Sequence, residues 1–119
     1  STKADTLTGD NSVNIIKGDK GNDTIIGLGG GDNLQGGEGN DLFKGSGTDF
    51  AEDVIDGGEG SNDKIDYSQL TNSVTLDLDG STAVDVTSAG NNHTLQNVEN
   101  VIGSKANDNI SGDDAKNIL

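Results

Sequence analysis

Residues 18–44 read GDKGNDTII, GLGGGDNLQ and GGEGNDLFK, three nonapeptides laid end to end. Each carries a large apolar residue, Ile25, Leu34 or Phe43, and an aspartate two positions before it, Asp23, Asp32 or Asp41. Stepping backwards by nines reaches Ile16 with Asn14, then Leu7 with Asp5. Forwards, the ruler slips by three to Asp53 and Ile55, and by one more to Asp63 and Ile65. A helix repeats every 3.6 residues and a strand every 2, so a period of nine held this long predicts a stacked repeat architecture.

The residue types explain the period. Glycines at the first, second and fourth places permit a tight turn whose carbonyls crowd toward one point, and the aspartate at the sixth place closes that turn with a carboxylate. The last three residues form a short strand whose middle residue points inward. Leu34 and Phe43 are therefore expected inside, with Asn33, Gln35, Leu42 and Lys44 outside. Two units make a coil of 18 residues, so Asp5, Asp23, Asp41 and Asp63 line one edge, and Asn14, Asp32 and Asp53 the other.

The copy Gly36–Lys44 matches G-G-x-G-x-D-x-U-x, with U a large apolar residue, and the chain thereby resembles the RTX, or haemolysin-type, calcium-binding repeats. The resemblance is tight over residues 18–44 and looser from 5 to 17. It implies an all-β fold, a right-handed parallel β-roll (β-helix solenoid) with calcium ions in the turns. Each ion is expected between successive turns of one edge, held by backbone carbonyls and by the aspartate of each turn. Carried onto this chain, Gly18, Lys20, Gly21 and Asp23 face Gly36, Gly37, Gly39 and Asp41, and these face Gly57, Gly58, Gly60 and Asp63. On the other edge Gly27, Gly29 and Asp32 face the turn ending in Asp53. Asp5, Asn14 and Asp108 complete the expected ligands. Asn14 brings an amide oxygen without charge and predicts a weaker site. Four turns on one edge and three on the other leave gaps for up to about five Ca2+ ions. Ser61 reads as an insertion that distorts its turn.

Composition points the same way. Only 29% of the 119 residues are hydrophobic and 3% aromatic, with 19 glycines and no proline. Apolar burial in so small a chain struggles to offset the entropy of ordering it. The formal charge of -14 makes nucleic acid and anionic membrane poor partners. Disorder is the expected metal-free state. Cysteine is absent, which leaves no disulfide or thiolate chemistry. There is neither a signal peptide nor an apolar stretch near the roughly 18 residues of a membrane span. RTX proteins leave the cell by a one-step, type I route that reads an uncleaved C-terminal signal. This chain stops at Asn117-Ile118-Leu119, inside a repeat, and is expected to be a piece of a longer secreted or cell-surface protein.

Beyond the good repeats the chain divides into residues 1–66, the repeat block; 67–102, an irregular β segment continuing or capping the solenoid; and 103–119, the start of a further block. Residues 48–52 read as a bulged loop, with Phe50 either tucked against the core, the favoured reading, or exposed. Val74-Thr75-Leu76-Asp77-Leu78 alternates as a half-buried strand, Asp79-Gly80 signals a turn, and Ala83–Val86 could be the hairpin partner. Nines counted onward from Ile65 reach Val74, Ala83, Asn92, Val101 and Ile110. Residues 104–119 resemble 1–16, Asp108 answering to Asp5 and Asn117 to Asn14, which favours neighbouring RTX blocks of the same chain as partners.

Enzymatic chemistry finds no support. His93, the one histidine, reads as a surface loop residue whose replacement should leave folding unchanged. Ser68 and Tyr67 have no base arranged nearby in sequence. The glycine-rich run 27–39 lacks the lysine and helix of a phosphate loop. The expected role is a monomeric, non-catalytic calcium-binding structural module of a secreted bacterial RTX protein, without direct membrane insertion. The alternative is a carbohydrate-binding accessory module of a polysaccharide-modifying enzyme, which would need exposed aromatics or a basic groove.

Overall fold

The computed structural model describes residues 1–45, 52–78, 83–86, 93–112 and 117–119. The loop expected at 48–52 therefore lies outside the described residues apart from Glu52, as do Phe50 and the Asp79-Gly80 turn. Strand is the regular structure of the described residues. The strands are β1 (Thr6–Thr8), β2 (Ile15–Lys20), β3 (Thr24–Ile26), β4 (Asn33–Glu38), β5 (Leu42–Lys44), β6 (Val54–Glu59), β7 (Lys64–Asp66), β8 (Val74–Asp77), β9 (Ala83–Val86), β10 (His93–Gln96), β11 (Asn100–Ile102) and β12 (Asn109–Ser111).

Alternate strands build two sheets, one in the order β1-β3-β5-β7-β11 and the other β2-β4-β6-β10-β9-β8-β12. Pairing is parallel except at β9, which runs antiparallel to both β8 and β10. This is a parallel β-roll with one hairpin strand let into its second sheet. The register places like on like. Leu7, Ile25, Phe43, Ile65 and Val101 form one inward column, and Ile16, Leu34, Ile55 and Leu95 the facing one. Ile25, Phe43, Ile55 and Ile65 are wholly buried, each contributing about 1.5–3 kcal/mol. Leu7 and Ile16, in the first coil, are covered on one side only and stay half-buried.

Three-residue strands hold for β1, β3, β5 and β7, but β2, β4 and β6 are six long, running on through the glycines expected to turn. The reason is stacking. Each turn lies on the turn of the previous coil in one conformation, and its amides bond across, as Gly21 N–H does to Glu38 O at 2.9 Å and Gly39 N–H to Glu59 O at 2.8 Å. Asp19, Gly37 and Gly58 stack in register with φ of 74°, 111° and 96°. A Cβ on Gly37 would run into the carbonyl oxygen of Asp19, and one on Gly58 into that of Gly37. Glycine is required inside the stack, whereas Asp19 at its end keeps a side chain at the cost of a left-handed backbone.

Beyond β7 the interior changes character. Tyr67, Leu70, Val74, Leu76, Leu95 and Val98 join the core. The β8–β9 strands have no counterpart in the first sheet, where β11 follows β7 directly and Asn100 bridges to Ile118. The second sheet therefore carries two more strands than the first.

Candidate metal centre

The two oxygens of each repeat aspartate do different work. Oδ1 accepts a main-chain N–H from the aspartate place one coil earlier. Asp5 donates to Asp23 at 2.9 Å, Asp23 to Asp41 at 2.8 Å and Asp41 to Asp63 at 2.7 Å. On the opposite edge Asn14 donates to Asp32 and Asp32 to Asp53, each at 2.8 Å. These bonds turn the carboxylates inward, and Asp23, Asp32, Asp41, Asp53 and Asp63 are all buried. Oδ2 of Asp23, Asp32, Asp41 and Asp63 is buried with no hydrogen-bond donor. A buried carboxylate oxygen without a partner is costly unless a cation meets it.

Each of these oxygens lies over a glycine of its own turn, most often beside a carbonyl from the next coil. A Cβ on Gly18 would strike Asp23 Oδ2 and Gly36 O; on Gly36, Asp41 Oδ2 and Gly57 O; on Gly27, Asp32 Oδ2. A carboxylate oxygen and, on most of these turns, a carbonyl oxygen of the next coil thus face the same glycine. No three Asp, Glu, His or Cys side chains cluster among the described residues, so a cation here draws on at most two carboxylates and otherwise on carbonyls. That is the donor set of a hard ion such as Ca2+, which takes six to eight oxygens with loose geometry. Burial pushes the Asp41 carboxyl up, an N–H bond to Asp23 opposing and the charge of Asp23 adding. Asp63 is pushed up to about 6 by burial, with the charges of Glu99, Asp41 and Asp56 adding against the Asp41 N–H.

The other expected ligands fall into place unequally. Asp5 is half-buried at the open end of the roll. Lys20 points its amine outward to Glu38 at 3.0 Å, so only its main chain faces the turn. Gly39 stacks on Gly21, and Gly60 on Gly39, too closely for a Cβ. Gly29 occupies the third place of its repeat; the fourth, with φ of 107° like its counterparts Gly21 and Gly39, is Gly30. The nine-residue register itself marks Gly30, and the turn expectation missed it. Asn14 closes its turn onto Asp10, accepting its N–H at 2.9 Å and donating to its carboxylate at 3.2 Å.

Asp108 stands apart. Its Oδ1 accepts Val74 N–H at 2.9 Å and the Ser104 hydroxyl at 2.5 Å, and its Oδ2 accepts Ser104 N–H at 2.7 Å. Burial raises its pKa, but these donors outweigh it and the net shift is downward. Protein donors occupy positions that stand open at Asp23 and Asp41.

The surface-loop reading of His93 is overturned. His93 opens β10, is buried, and shares a 2.6 Å hydrogen bond between Nε2 and the hydroxyl of wholly buried Tyr67. Its register opposite Asp53 gives it the aspartate place of its coil, because Leu95 pairs with Ile55 two residues on. Tyr67 thus has a base in space that sequence proximity did not reveal, though both groups are closed off in the core.

The fold and these turns define a calcium-binding β-roll. A family model for the RTX calcium-binding nonapeptide repeat matches the chain in four copies, including residues 1–33, 8–43 and 26–63. Together those three cover more than half of the chain, which belongs to this family. Comparison with curated proteins returns no significant match.

Proposed function

We propose that this chain is a non-catalytic structural module of a larger secreted bacterial RTX protein, binding up to about five Ca2+ ions and folding as it does so. The carrying observation is the buried, donorless Oδ2 of Asp23, Asp32, Asp41 and Asp63, four like charges that a calcium-free core cannot hold cheaply. The ligands are the carboxylates of Asp5, Asp23, Asp32, Asp41, Asp53 and Asp63, the amide of Asn14, and the carbonyls of Gly18, Lys20, Gly21, Gly27, Gly29, Gly30, Gly36, Gly37, Gly39, Gly57, Gly58 and Gly60. Five ions would take the formal charge from -14 to -14 + 10 = -4. Carboxylates a few Å apart repel by about 4 kcal/mol per pair at an effective dielectric near 20, comparable with a domain's whole stability. A carbohydrate-binding role finds less support, since Phe43 and Tyr67 are wholly buried.

Circular dichroism in excess chelator and in millimolar calcium tests the reading. The expected result is a disordered spectrum that becomes β-rich with calcium. The same β-rich spectrum in both conditions would sink it.

A further inference from the structure

Past Asp66 the nonapeptide pattern lapses until residue 103, yet the ligand geometry continues. Gln96 pairs with Asp56, which sets Asn97 opposite Gly57 in the parallel register. A Cβ on Gly57 would meet Asp63 Oδ2 and Asn97 O, the arrangement of a buried carboxylate oxygen and a next-coil carbonyl found over Gly18 and Gly36. Asn97 holds that carbonyl in place through an unusual backbone, φ 52°, and a 2.8 Å bond from its amide to Asp56. Glu99 Oε2 accepts Asp63 N–H at 3.0 Å, the part each aspartate plays for the coil before it. Glu99 sits two residues before the inward Val101, the aspartate place.

We propose that Asp63, Glu99 and the Asn97 carbonyl form a further calcium site that joins the turn ending in Asp63 to the β10–β11 connection. It rests on the calcium-binding reading above. The independent sign of a ligand is Asp63 Oδ2, which belongs to a residue with no solvent exposure and has no hydrogen-bond donor. The ion class follows from the donors, two carboxylates and main-chain carbonyls, which suit Ca2+ and not a soft metal. Its consequence is coupling: calcium at this turn fixes the segment that carries β8 to β10 onto the repeat block.

Tyr67 reports on that segment, being the chain's one tyrosine in the absence of tryptophan. The intact chain, Glu99→Gln and Glu59→Gln are titrated with calcium, following tyrosine fluorescence for the segment, far-ultraviolet circular dichroism for the repeats, and calorimetry for the number of ions. Gln keeps an acceptor for Asp63 N–H and removes the charge; Glu59 is exposed and controls for bulk charge. Glu99→Gln should raise the calcium midpoint of the tyrosine signal about tenfold, or lose one ion. Its dichroism midpoint should move less than about twofold, as should both midpoints of Glu59→Gln. Equal behaviour of the two variants in a chain that folds with calcium overturns this site alone. No calcium response in the unsubstituted chain overturns this site and the calcium-binding reading together.

Discussion

The repeat block and the segment after it solve the same problem with different chemistry. In the described residues from Asp5 to Asp66 one apolar side chain per strand points into the roll, and Asp23, Asp32, Asp41 and Asp63 each keep a buried oxygen without a protein donor. From Tyr67 onward the core takes in Tyr67, Leu70, Val74, Leu76 and Val98, and the comparable carboxylate, Asp108, is held by Ser104 and Val74. The repeat turns hold carboxylate oxygens without a protein donor at Asp23, Asp32, Asp41 and Asp63, whereas Ser104 donates to both oxygens of Asp108. A hydroxyl and two amides satisfy at Asp108 the oxygens that have no such donors at the repeat turns.

The sharpest test of that contrast is Gly36→Ala. The new methyl would occupy the space facing Asp41 Oδ2 and Gly57 O, with backbone on one side and no room to shift. It should abolish calcium-driven folding of the repeats at millimolar calcium, a loss of about 3 kcal/mol or more. Dichroism against calcium concentration measures it; an unchanged midpoint would show that the turn has slack the stacking does not reveal.

A smaller effect separates the second region. His93→Ala removes a buried ring and its bond to Tyr67, and should cost about 2–4 kcal/mol in calcium-saturated thermal melts. The number of ions bound should not change. Were calorimetry to show one ion fewer, the buried histidine would belong to the calcium-linked region and the contrast would fail.

The smallest expected change is Ser104→Ala, which removes one of the donors to Asp108. A loss of about 1–3 kcal/mol is expected, the same at saturating and at tenfold lower calcium, since that carboxylate is closed by protein. A loss that shrinks as calcium rises would mean an ion takes the hydroxyl's place, making the Asp108 turn like those before it.

The nine-residue period was enough to place the inward residues from Leu7 to Ile65 and both edges of aspartates, because every repeat carries the same local pattern and stacks on a copy of itself, and the resemblance to the RTX repeats pointed to the ion. Even Glu99 was legible in principle, two residues before Val101 in the continued count. Three features depended on the tertiary structure. The extended β2, β4 and β6 arise from bonds between stacked turns, which no single repeat contains. The burial of His93 follows from β10 pairing with β6, which carries a residue with polar neighbours in sequence into the core beside Tyr67. The meeting of Asn97 with Gly57 follows from that same pairing, made across the whole hairpin segment. Local chemistry sets what a repeat can bind, whereas the choice of which distant strand completes the last turn belongs to the packing of the assembled sheets.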